Sequence, residues 1–224
     1  MSRIVFCIAC LACFTLGAQR HQITVDGGLN KVFSFDDRPV FGGGSPWDNR
    51  FDATCRLSYA FYTHSDFYSE VSVGYLNLRF LDDNVFAGMD GPDEVFKNNY
   101  LTAQLGGGYK FDLAQKFELS ADVTGGLLYR FRTKLWTKGQ SADETVRYKS
   151  WSEFHRHFGF SLNLSNYYRL FRRREGSLFL VASIRGWYVF DFAPLARDGE
   201  NADRLIPEID LGIAFRFGDN RELF

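Results

Sequence analysis

The sequence predicts an all-β protein, an eight-stranded antiparallel up-and-down transmembrane β-barrel. Three observations lead to this prediction. Apolar and polar residues alternate with a period of two in about eight segments, and no convincing helical period appears between them. Short and long connections follow one another along the chain. Aromatic residues make up 17% of the 224 residues, with 24 Phe among them, and they crowd the ends of the alternating segments.

The alternation is clearest in the segment KFELSADVTGGLLYRFR. One face of this strand carries Phe117, Leu119, Ala121, Val123, Gly125, Leu127, Tyr129 and Phe131, and the other carries Glu118, Ser120, Asp122, Thr124, Gly126, Leu128, Arg130 and Arg132. Because successive side chains of a strand point to opposite sides, these are two separate surfaces. The same pattern predicts strands in QITVDGGLN, FDATCRLSYAFY, FYSEVSVGYLNLRF, YLTAQLGGGYKFD, HFGFSLNLSN, LFLVASIRGWYVFDF and IDLGIAFRF. Over residues 76–80 the alternation slips, which predicts a β-bulge or the end of that strand.

The predicted connections fall into two groups by length. The short links are 63–66, 114–115 and 172–176, and the long links, rich in Gly, Asp or Pro, are 36–49, 81–98, 136–154 and 194–205. If the strands run up and down, all short links lie at one end of the barrel and all long links at the other. Outer-membrane barrels have this arrangement, with short periplasmic turns and longer outer loops.

The alternation by itself does not say which face meets water. A soluble barrel or sandwich buries its apolar face, whereas a membrane barrel turns that face toward lipid. Strands of about ten residues or more suit a tilted membrane crossing, and aromatic strand ends suit an interfacial girdle. These features, the alternating links and the mixed charges of the polar faces together favour the membrane barrel.

The polar faces carry charges of both signs, which on a closed barrel point inward. The predicted lumen residues are Asp52, Arg56, Glu70, Glu118, Asp122, Arg130, Arg185, Asp210 and Arg216. Eight strands leave an interior just wide enough for side chains to fill, which disfavours an open pore. A lone charge in such an interior is costly, and complementary pairing offsets that cost. We therefore predict a structural charge network, with a gated ion path or a ligand site as the alternative.

The first residues have the pattern of a cleaved secretory signal peptide. Arg3 precedes an apolar run from Ile4 to about Leu16, and the small residues Gly17 and Ala18 follow it. The run is shorter than the roughly 20 residues of a spanning helix. The sequence thus predicts a signal peptide over residues 1–18 and a barrel domain over residues 19–224.

The cysteines agree with export and do not form a disulfide framework. Cys7, Cys10 and Cys13 lie within the predicted signal peptide, and only Cys55 remains after it. No intrachain disulfide can form in the mature chain. A membrane anchor, and lipid attachment at Cys10 or Cys13, are the alternative interpretations of the first segment.

The segment WSEFHRHFGFS is the most prominent local candidate for chemistry. Glu153, His155 and His157 share one strand face, and histidines two positions apart on a strand can both reach one metal ion. Polar residues at the rim, where strand meets loop, are the interpretation we favour. We therefore predict no catalytic residue, no metal and no cofactor.

In its pattern, the chain over residues 22–224 resembles a small eight-stranded bacterial outer-membrane barrel of the OmpA/OmpX-like superfamily. It most resembles the "outer membrane protein β-barrel domain" group common in Bacteroidetes. Members of this class end in an amphipathic strand, usually with a terminal aromatic residue, that the barrel-assembly machinery recognises. LGIAFRF followed by Phe224 is similar to that signal, although the polar stretch GDNREL separates Phe217 from Phe224. The resemblance implies that this machinery binds the last strand.

We expect a non-enzymatic integral protein of the bacterial outer membrane with a structural role. Its long extracellular loops would display a surface for adhesion or partner binding. Expected partners are outer-membrane lipid and lipopolysaccharide, the barrel-assembly machinery and an extracellular ligand at the loops. The formal net charge of −1 argues against nucleic acid. The basic short turn RLFRRREGS is expected to be solvated, with anionic lipid head groups as the alternative.

Two other functions remain open at this stage. One is a lipid-A-modifying acyl hydrolase. Small barrel deacylases use a His and a Ser on the lipid-facing surface, whereas the alternation puts His157 and Ser161 on the lumen side. The other is a soluble secreted β-barrel that binds an apolar ligand inside.

Overall fold

The computed structural model describes residues 20–31, 33–34, 51–62, 66–82, 94–137, 144–147, 155–173, 176–192 and 202–218. In chain order the strands are β1 (Arg20–Asn30), β2 (Phe33–Ser34), β3 (Asp52–Tyr62), β4 (Phe67–Asp82), β5 (Glu94–Ala114), β6 (Phe117–Thr137), β7 (Glu144–Arg147), β8 (His155–Arg173), β9 (Gly176–Phe192) and β10 (Ala202–Gly218). The predicted signal peptide lies outside the described residues. Within them, no helix has the length and apolarity that a membrane crossing requires.

Eight of the strands form a closed barrel. They pair antiparallel in the order β1, β3, β4, β5, β6, β8, β9 and β10, and β1 pairs with β10 to close the ring. The short strands add to this frame, β7 beside β6 and β2 beside β10. Closure satisfies the backbone groups that an edge strand would leave unpaired. The predicted eight-stranded antiparallel up-and-down barrel is confirmed.

The strands are staggered as they go around the ring. One circuit of directly paired residues passes through Ile206, Trp187, Ser161, Thr124, Gly106, Glu70, Ala60, Gln22 and Arg216. The circuit leaves β10 at Ile206 and returns to it at Arg216, so the register advances by ten residues in one turn. Such a shear tilts the strands against the barrel axis. It also brings together inward side chains that are far apart in the sequence.

The two predicted faces of each strand lie inside and outside the barrel. On β10, Ile209 and Leu211 are 63% and 65% exposed, whereas Asp210 and Arg216 are 1% and 8% exposed. The inverted pattern, with apolar side chains outside and charged ones inside, holds on the other barrel strands as well. An exterior of this kind is suited to lipid and not to water.

The predicted break in β4 is wrong. Pairing of β4 with β5 continues without a register shift from Phe67 to Asp82. Leu76 and Leu78 lie on the inward face and are 1% and 0% exposed. The alternation of polarity fails there because the lumen itself is apolar at this level, so a leucine points inward where a polar residue was expected.

A β-bulge in β6 changes which of its residues face the lumen. Asn99 pairs with Arg132 and Tyr100 with Arg130, so Phe131 is the extra residue. Beyond a bulge the inward and outward positions exchange. Accordingly Thr133 is buried and Arg132 only half-buried, and the assignment of Arg132 to the same face as Arg130 is wrong.

The connections sort to the two ends of the barrel. The short ones lie at the end that also holds Arg20 and Gly218, which pair with each other. We call this the short-turn end and the opposite one the long-connection end. Several strands extend into the predicted long links. β4 and β5 keep pairing as far as Asp82 and Glu94, so the link between them spans only 83–93.

The aromatic residues near strand ends, which suggested an interfacial girdle, do not all point outward. Tyr62, Tyr68, Tyr167 and Trp187 are buried in the lumen. The outward rings at the short-turn end form close pairs. The Phe67 and Tyr109 rings meet edge to face with centroids 4.8 Å apart, and the Phe117 and Tyr168 rings are tilted against each other with centroids 5.0 Å apart. Burying an aromatic ring inside fills volume that a small polar residue would leave empty.

Candidate functional site: the filled lumen

The lumen is filled by layers of different chemistry. Toward the long-connection end lies an apolar plug, made of Leu76, Leu78, Tyr100, Leu128, Trp187, Val189 and Ile206. Each of these side chains is at most 1% exposed. The plug explains why sequence polarity was an incomplete guide to the inward face. Close-packed side chains of this size fill the described part of the interior at this level.

The middle layer is centred on Arg56. Its Nη2 atom donates to Asp26 Oδ2 at 2.8 Å and to Asp210 Oδ2 at 3.4 Å. Asp26 is the direct cross-strand partner of Arg56, whereas Asp210 is brought in by closure of β1 on β10. All three side chains are nearly inaccessible to solvent. Two carboxylates against one guanidinium form a triad whose members depend on one another.

A second cluster in the middle layer is centred on Asp122. The Tyr68 hydroxyl donates to Asp122 Oδ2 at 2.9 Å, and Asn163 Nδ2 donates to the same oxygen at 3.0 Å. Gly108 makes room for this contact. A Cβ atom at Gly108 would lie 2.8 Å from the Tyr68 hydroxyl and still closer to the Ala121 carbonyl oxygen. A glycine within a strand often marks such a close approach of neighbouring groups.

The layer at the short-turn end is centred on Glu118, which three cations surround. Glu118 accepts hydrogen bonds from Arg216 Nη1 and Arg169 Nη2, each at 2.7 Å, and Lys110 Nζ lies 3.7 Å away. Glu118 is 1% exposed. The pairing with Arg216 joins β6 to β10 across the barrel, so this carboxylate connects strands that share no backbone ladder.

Arg216 is held by more than its ion pair. Its guanidinium lies 5.0 Å from the Tyr62 ring centroid and 4.6 Å from that of Phe179. Its Nε and Nη2 atoms both donate to Gln22 Oε1, at 3.0 and 2.8 Å, and that oxygen also accepts from Tyr62. An arginine with both cation–π and charge-assisted contacts is rigidly placed. The short-turn end of the lumen is therefore closed by a packed polar and aromatic layer.

The structure brings some of the nine predicted lumen residues together and leaves others apart. All nine are buried. Arg56 contacts Asp210, and Glu118 contacts Arg216. Asp52 pairs instead with Lys97, at 3.0 Å, and Asp122 accepts its hydrogen bonds from Tyr68 and Asn163. The remaining members, buried at other positions of the lumen, are Glu70, Arg130 and Arg185.

Several network residues were missed by the sequence reasoning. They are Gln22, Asp26, Lys97, Asn163, Arg169 and Glu208, of which Asp26 and Glu208 are buried carboxylates. The signal for those two was present, because Asp26 continues the alternation of QITVDGGLN and Glu208 lies two residues before Asp210. Following the period-two pattern through the whole of the first and last strands would have included both.

The predicted rim cluster is only partly described. Glu153 lies outside the described residues, and His155 begins β8. His157 is 6% exposed and faces the lumen, where its ring lies 6.0 Å from that of Tyr100. Ser161 also faces inward and hydrogen-bonds to Thr124 at 2.7 Å. Among the residues that the structure describes, no group of three or more His, Cys, Asp or Glu is placed to hold a metal ion.

The contribution of the lumen hydrogen bonds to stability can be tested at the bond between Tyr68 and Asp122. Tyr68→Phe removes the hydroxyl donor and leaves the ring in place. We expect it to lower the free energy of unfolding by about 1.5 to 3 kcal/mol, the range for hydrogen bonds to charged groups. Equilibrium unfolding in urea, in detergent micelles, measures the change. Tyr75→Phe is the matched control, because it removes a half-buried hydroxyl that donates to Asn77. An equal loss in both variants would contradict a special role for Asp122.

The geometry defines the class of the protein: an integral, closed, eight-stranded β-barrel of the outer-membrane type. The class follows from the ring of antiparallel strands, the exposed apolar exterior and the charged, filled interior.

Comparison with solved structures finds several chains of similar fold. Ail, the attachment invasion locus protein of Yersinia pestis, solved in complex with the heparin analogue sucrose octasulfate, is 14% identical, with 89% of this chain and 99% of that chain covered and a TM-score of 0.45. Neisserial surface protein A is 14% identical, with 88% and 96% covered and a TM-score of 0.46. A major outer membrane protein from Thermus thermophilus is 13% identical, with 88% and 99% covered and a TM-score of 0.44. No family model and no curated protein matches the chain. A likeness at this level assigns no function.

Proposed function

We propose that this protein is a non-enzymatic component of the bacterial outer membrane that acts through the surface formed by its long connections. The observation that carries the proposal is the filled lumen. The apolar plug, the triad around Arg56 and the layer around Glu118 occupy successive levels of the barrel. A barrel that offers no through path leaves its ends and its lipid-facing wall as the surfaces available for function.

The orientation of the barrel follows the pattern of its class. The short-turn end would face the periplasm and the long-connection end the outside of the cell. Export would depend on the predicted signal peptide of residues 1–18, and assembly on recognition of β10 by the barrel-assembly machinery. The connections at 35–50, 83–93, 138–154 and 193–201 would then be displayed outside. They are rich in Gly, Asp or Pro, and loops on rigid scaffolds are common binding elements.

The two alternative functions lack a specific supporting observation. A lipid-modifying hydrolase needs a nucleophile and a base on the lipid-facing surface, and Ser161 and His157 both face the lumen. A soluble ligand-binding barrel needs an apolar cavity inside. The mid-lumen cavity lined by Gln104, Trp187 and Glu208 has a volume of about 10 Å³, room for about one water molecule.

The proposal is tested by removing the connections one at a time. Each of the four would be replaced by a two-residue Asn-Gly turn, in a Gram-negative host that displays the barrel. Adhesion of the cells to immobilised fibronectin, collagen and laminin would then be measured. We expect the full chain to increase adhesion to at least one coating. We expect at least one replacement to lower it about tenfold or more, which corresponds to about 1.4 kcal/mol of binding free energy.

Heat-dependent gel mobility of each variant serves as the control that the barrel has assembled. The proposal is overturned if correctly assembled full-length barrel adds nothing to adhesion. It is equally overturned if all four replacements adhere as well as the full chain, because binding would then not depend on the connections.

A further inference from the structure

The lipid-facing wall contains an apolar groove of about 860 Å³ on the side formed by β4, β5, β6, β8 and β9. Its outward-facing lining consists of Phe67, Ser69, Gly107, Tyr109, Ala121, Val123, Leu162, Leu164, Ile184 and Gly186. Inward-facing residues of the same strands, such as Asp122, also line it, since the strand backbone forms its floor. A volume of this size is typical of sites that bind an extended small molecule.

The groove follows two adjacent rows of directly paired residues around the barrel. One row runs Phe67, Tyr109, Ala121, Leu164 and Ile184, and the next runs Ser69, Gly107, Val123, Leu162 and Gly186. Large side chains stand at both ends of the first row, and its middle residue is Ala121. Phe67, Leu164 and Ile184 are 60%, 56% and 64% exposed. These walls therefore project outward around a lower floor.

An amide lies between the groove and the short-turn end. Asn166 follows Leu164 on the same outward face of β8 and pairs with Leu119 and Ala182. Its side chain is exposed, and it interrupts an otherwise apolar row on the wall. A carboxamide at this depth suits the ester region of a lipid, because it both donates and accepts hydrogen bonds.

Aromatic rings and cations follow beyond the amide. The Phe117 and Tyr168 rings lie 5.0 Å apart. Lys116, next to Phe117, accepts a hydrogen bond at its carbonyl oxygen from Arg169 N at 2.8 Å. At the end of β8, the exposed Arg173 lies with its guanidinium 5.6 Å from the Phe171 ring centroid. Along β6 and β8, the order of features from the groove toward the short-turn end is therefore apolar groove, amide, aromatic rings and basic edge.

The spacing between the groove and Lys116 matches one leaflet of a membrane. Lys116 directly precedes β6 and lies five positions before Ala121, at most about 16 Å at 3.3 Å per residue, and less along the membrane normal because barrel strands tilt. The hydrocarbon of one leaflet is about 15 Å thick. An acyl chain whose phosphate lies at the basic edge therefore reaches the groove.

We propose that this wall is a binding site for an anionic glycerophospholipid of the periplasmic leaflet. One acyl chain occupies the groove, the glycerol ester region meets Asn166, and the phosphate meets the basic edge formed by Lys116 and, further along β8, Arg173. The order of chemistry along the wall is complementary to that of the lipid, and the positive edge selects a negative head group. The site depends on the barrel lying in a membrane and is independent of what the long connections bind.

The test is native mass spectrometry of the full-length mature barrel, released from detergent after titration with phosphatidylglycerol or phosphatidylcholine. We expect one phosphatidylglycerol to bind at least about tenfold more tightly than phosphatidylcholine, which corresponds to about 1.4 kcal/mol. Ala121→Phe fills the groove floor and is expected to reduce phosphatidylglycerol binding several-fold. Ala53→Phe makes the same change at an exposed, outward position on β3, outside the groove, and is expected to leave binding unchanged.

A second pair of variants tests the basic edge without touching the groove. The double substitution Lys116→Gln and Arg173→Gln is expected to abolish the preference for phosphatidylglycerol. The matched control, Lys134→Gln with Arg156→Gln, removes two cations from near the long-connection end and is expected to retain the preference. Equal binding of both lipids by the unaltered chain overturns the proposal. Equal effects of test and control variants overturn it as well, because binding would then be a general property of the barrel wall. If Ala121→Phe fails to assemble, the charge variants still decide the question.

Discussion

Replacing Glu118 with Ala is expected to lower the free energy of unfolding by about 3 to 5 kcal/mol, the cost of breaking a buried ion pair by removing one partner. Glu118 is the carboxylate shared by Arg216, Arg169 and Lys110. Its removal leaves the buried guanidinium of Arg216 without a counter-charge. The measurement is equilibrium unfolding in urea in detergent micelles. The folded fraction is monitored by the gel mobility of unheated samples.

Asp112→Ala is the matched control for this prediction. Asp112 also pairs with Lys110, at 3.1 Å, but its side chain is 61% exposed. Exposed pairs contribute about 0 to 1 kcal/mol, so this variant should unfold nearly as the parent chain does. The double variant Glu118→Gln with Arg216→Gln should recover part of the loss, since neither charge is then left alone. A small effect of Glu118→Ala, equal to that of Asp112→Ala, would contradict a stabilising role for the charge layer.

Replacing Val73 with Arg is expected to lower the free energy of unfolding in a lipid bilayer by about 2 to 4 kcal/mol, the cost of an arginine on the lipid face near the midplane. Val73 lies near the middle of β4, between Leu57 and Ala103, and is 57% exposed. In a water-soluble barrel the same substitution at such an exposed site would cost only about 0.5 kcal/mol or less. The measurement is reversible unfolding of the barrel in phospholipid vesicles.

Leu170→Arg is the matched control, because it introduces the same side chain near the membrane interface and not near the midplane. Leu170 is 50% exposed and lies near the short-turn end of β8. An arginine near the membrane interface costs only about 0 to 1 kcal/mol. The expected result is therefore a large loss for Val73→Arg and a small one for Leu170→Arg. If both variants behave alike and the protein is recovered without detergent, the exterior does not face lipid.

The strand pattern was largely predictable from the sequence because each strand carries its own signal. In β6 and β10 polar and apolar residues alternate over most of the length, and the barrel puts the two sets inside and outside, apart from the inward Leu128 and Ile206 of the apolar plug. The prediction of the inward face was wrong in two places, at a β-bulge in β6 and at an apolar layer of the lumen in β4. The bulge at Phe131 moves Arg132 to the other face without any change in the alternation of residue types. In β4 the apolar Leu76 and Leu78 looked like a break because an apolar lumen layer was not anticipated.

The charge network was predictable in its members but not in its pairs. The alternation marks Arg56, Glu118 and Arg216 as inward residues, since that is a property of each strand. Which carboxylate an arginine reaches depends on the neighbouring strand and on the stagger around the ring. Asp26 and Arg56 lie on consecutive barrel strands, whereas Arg216 and Glu118 meet across the lumen from β10 and β6. Contacts of the second kind have no local signal.

The sequence by itself determined that this protein is a small barrel of eight antiparallel strands with one apolar and one polar face, because a period of two is a local property that each strand expresses alone. Only the tertiary structure decided how the polar face is filled. Closure of β1 on β10 with a register shift of ten residues sets which inward side chains share a level of the lumen. That shift arises from the pairing of all eight strands together, and so no single segment encodes the Arg56 triad, the Glu118 layer or the groove on the lipid-facing wall.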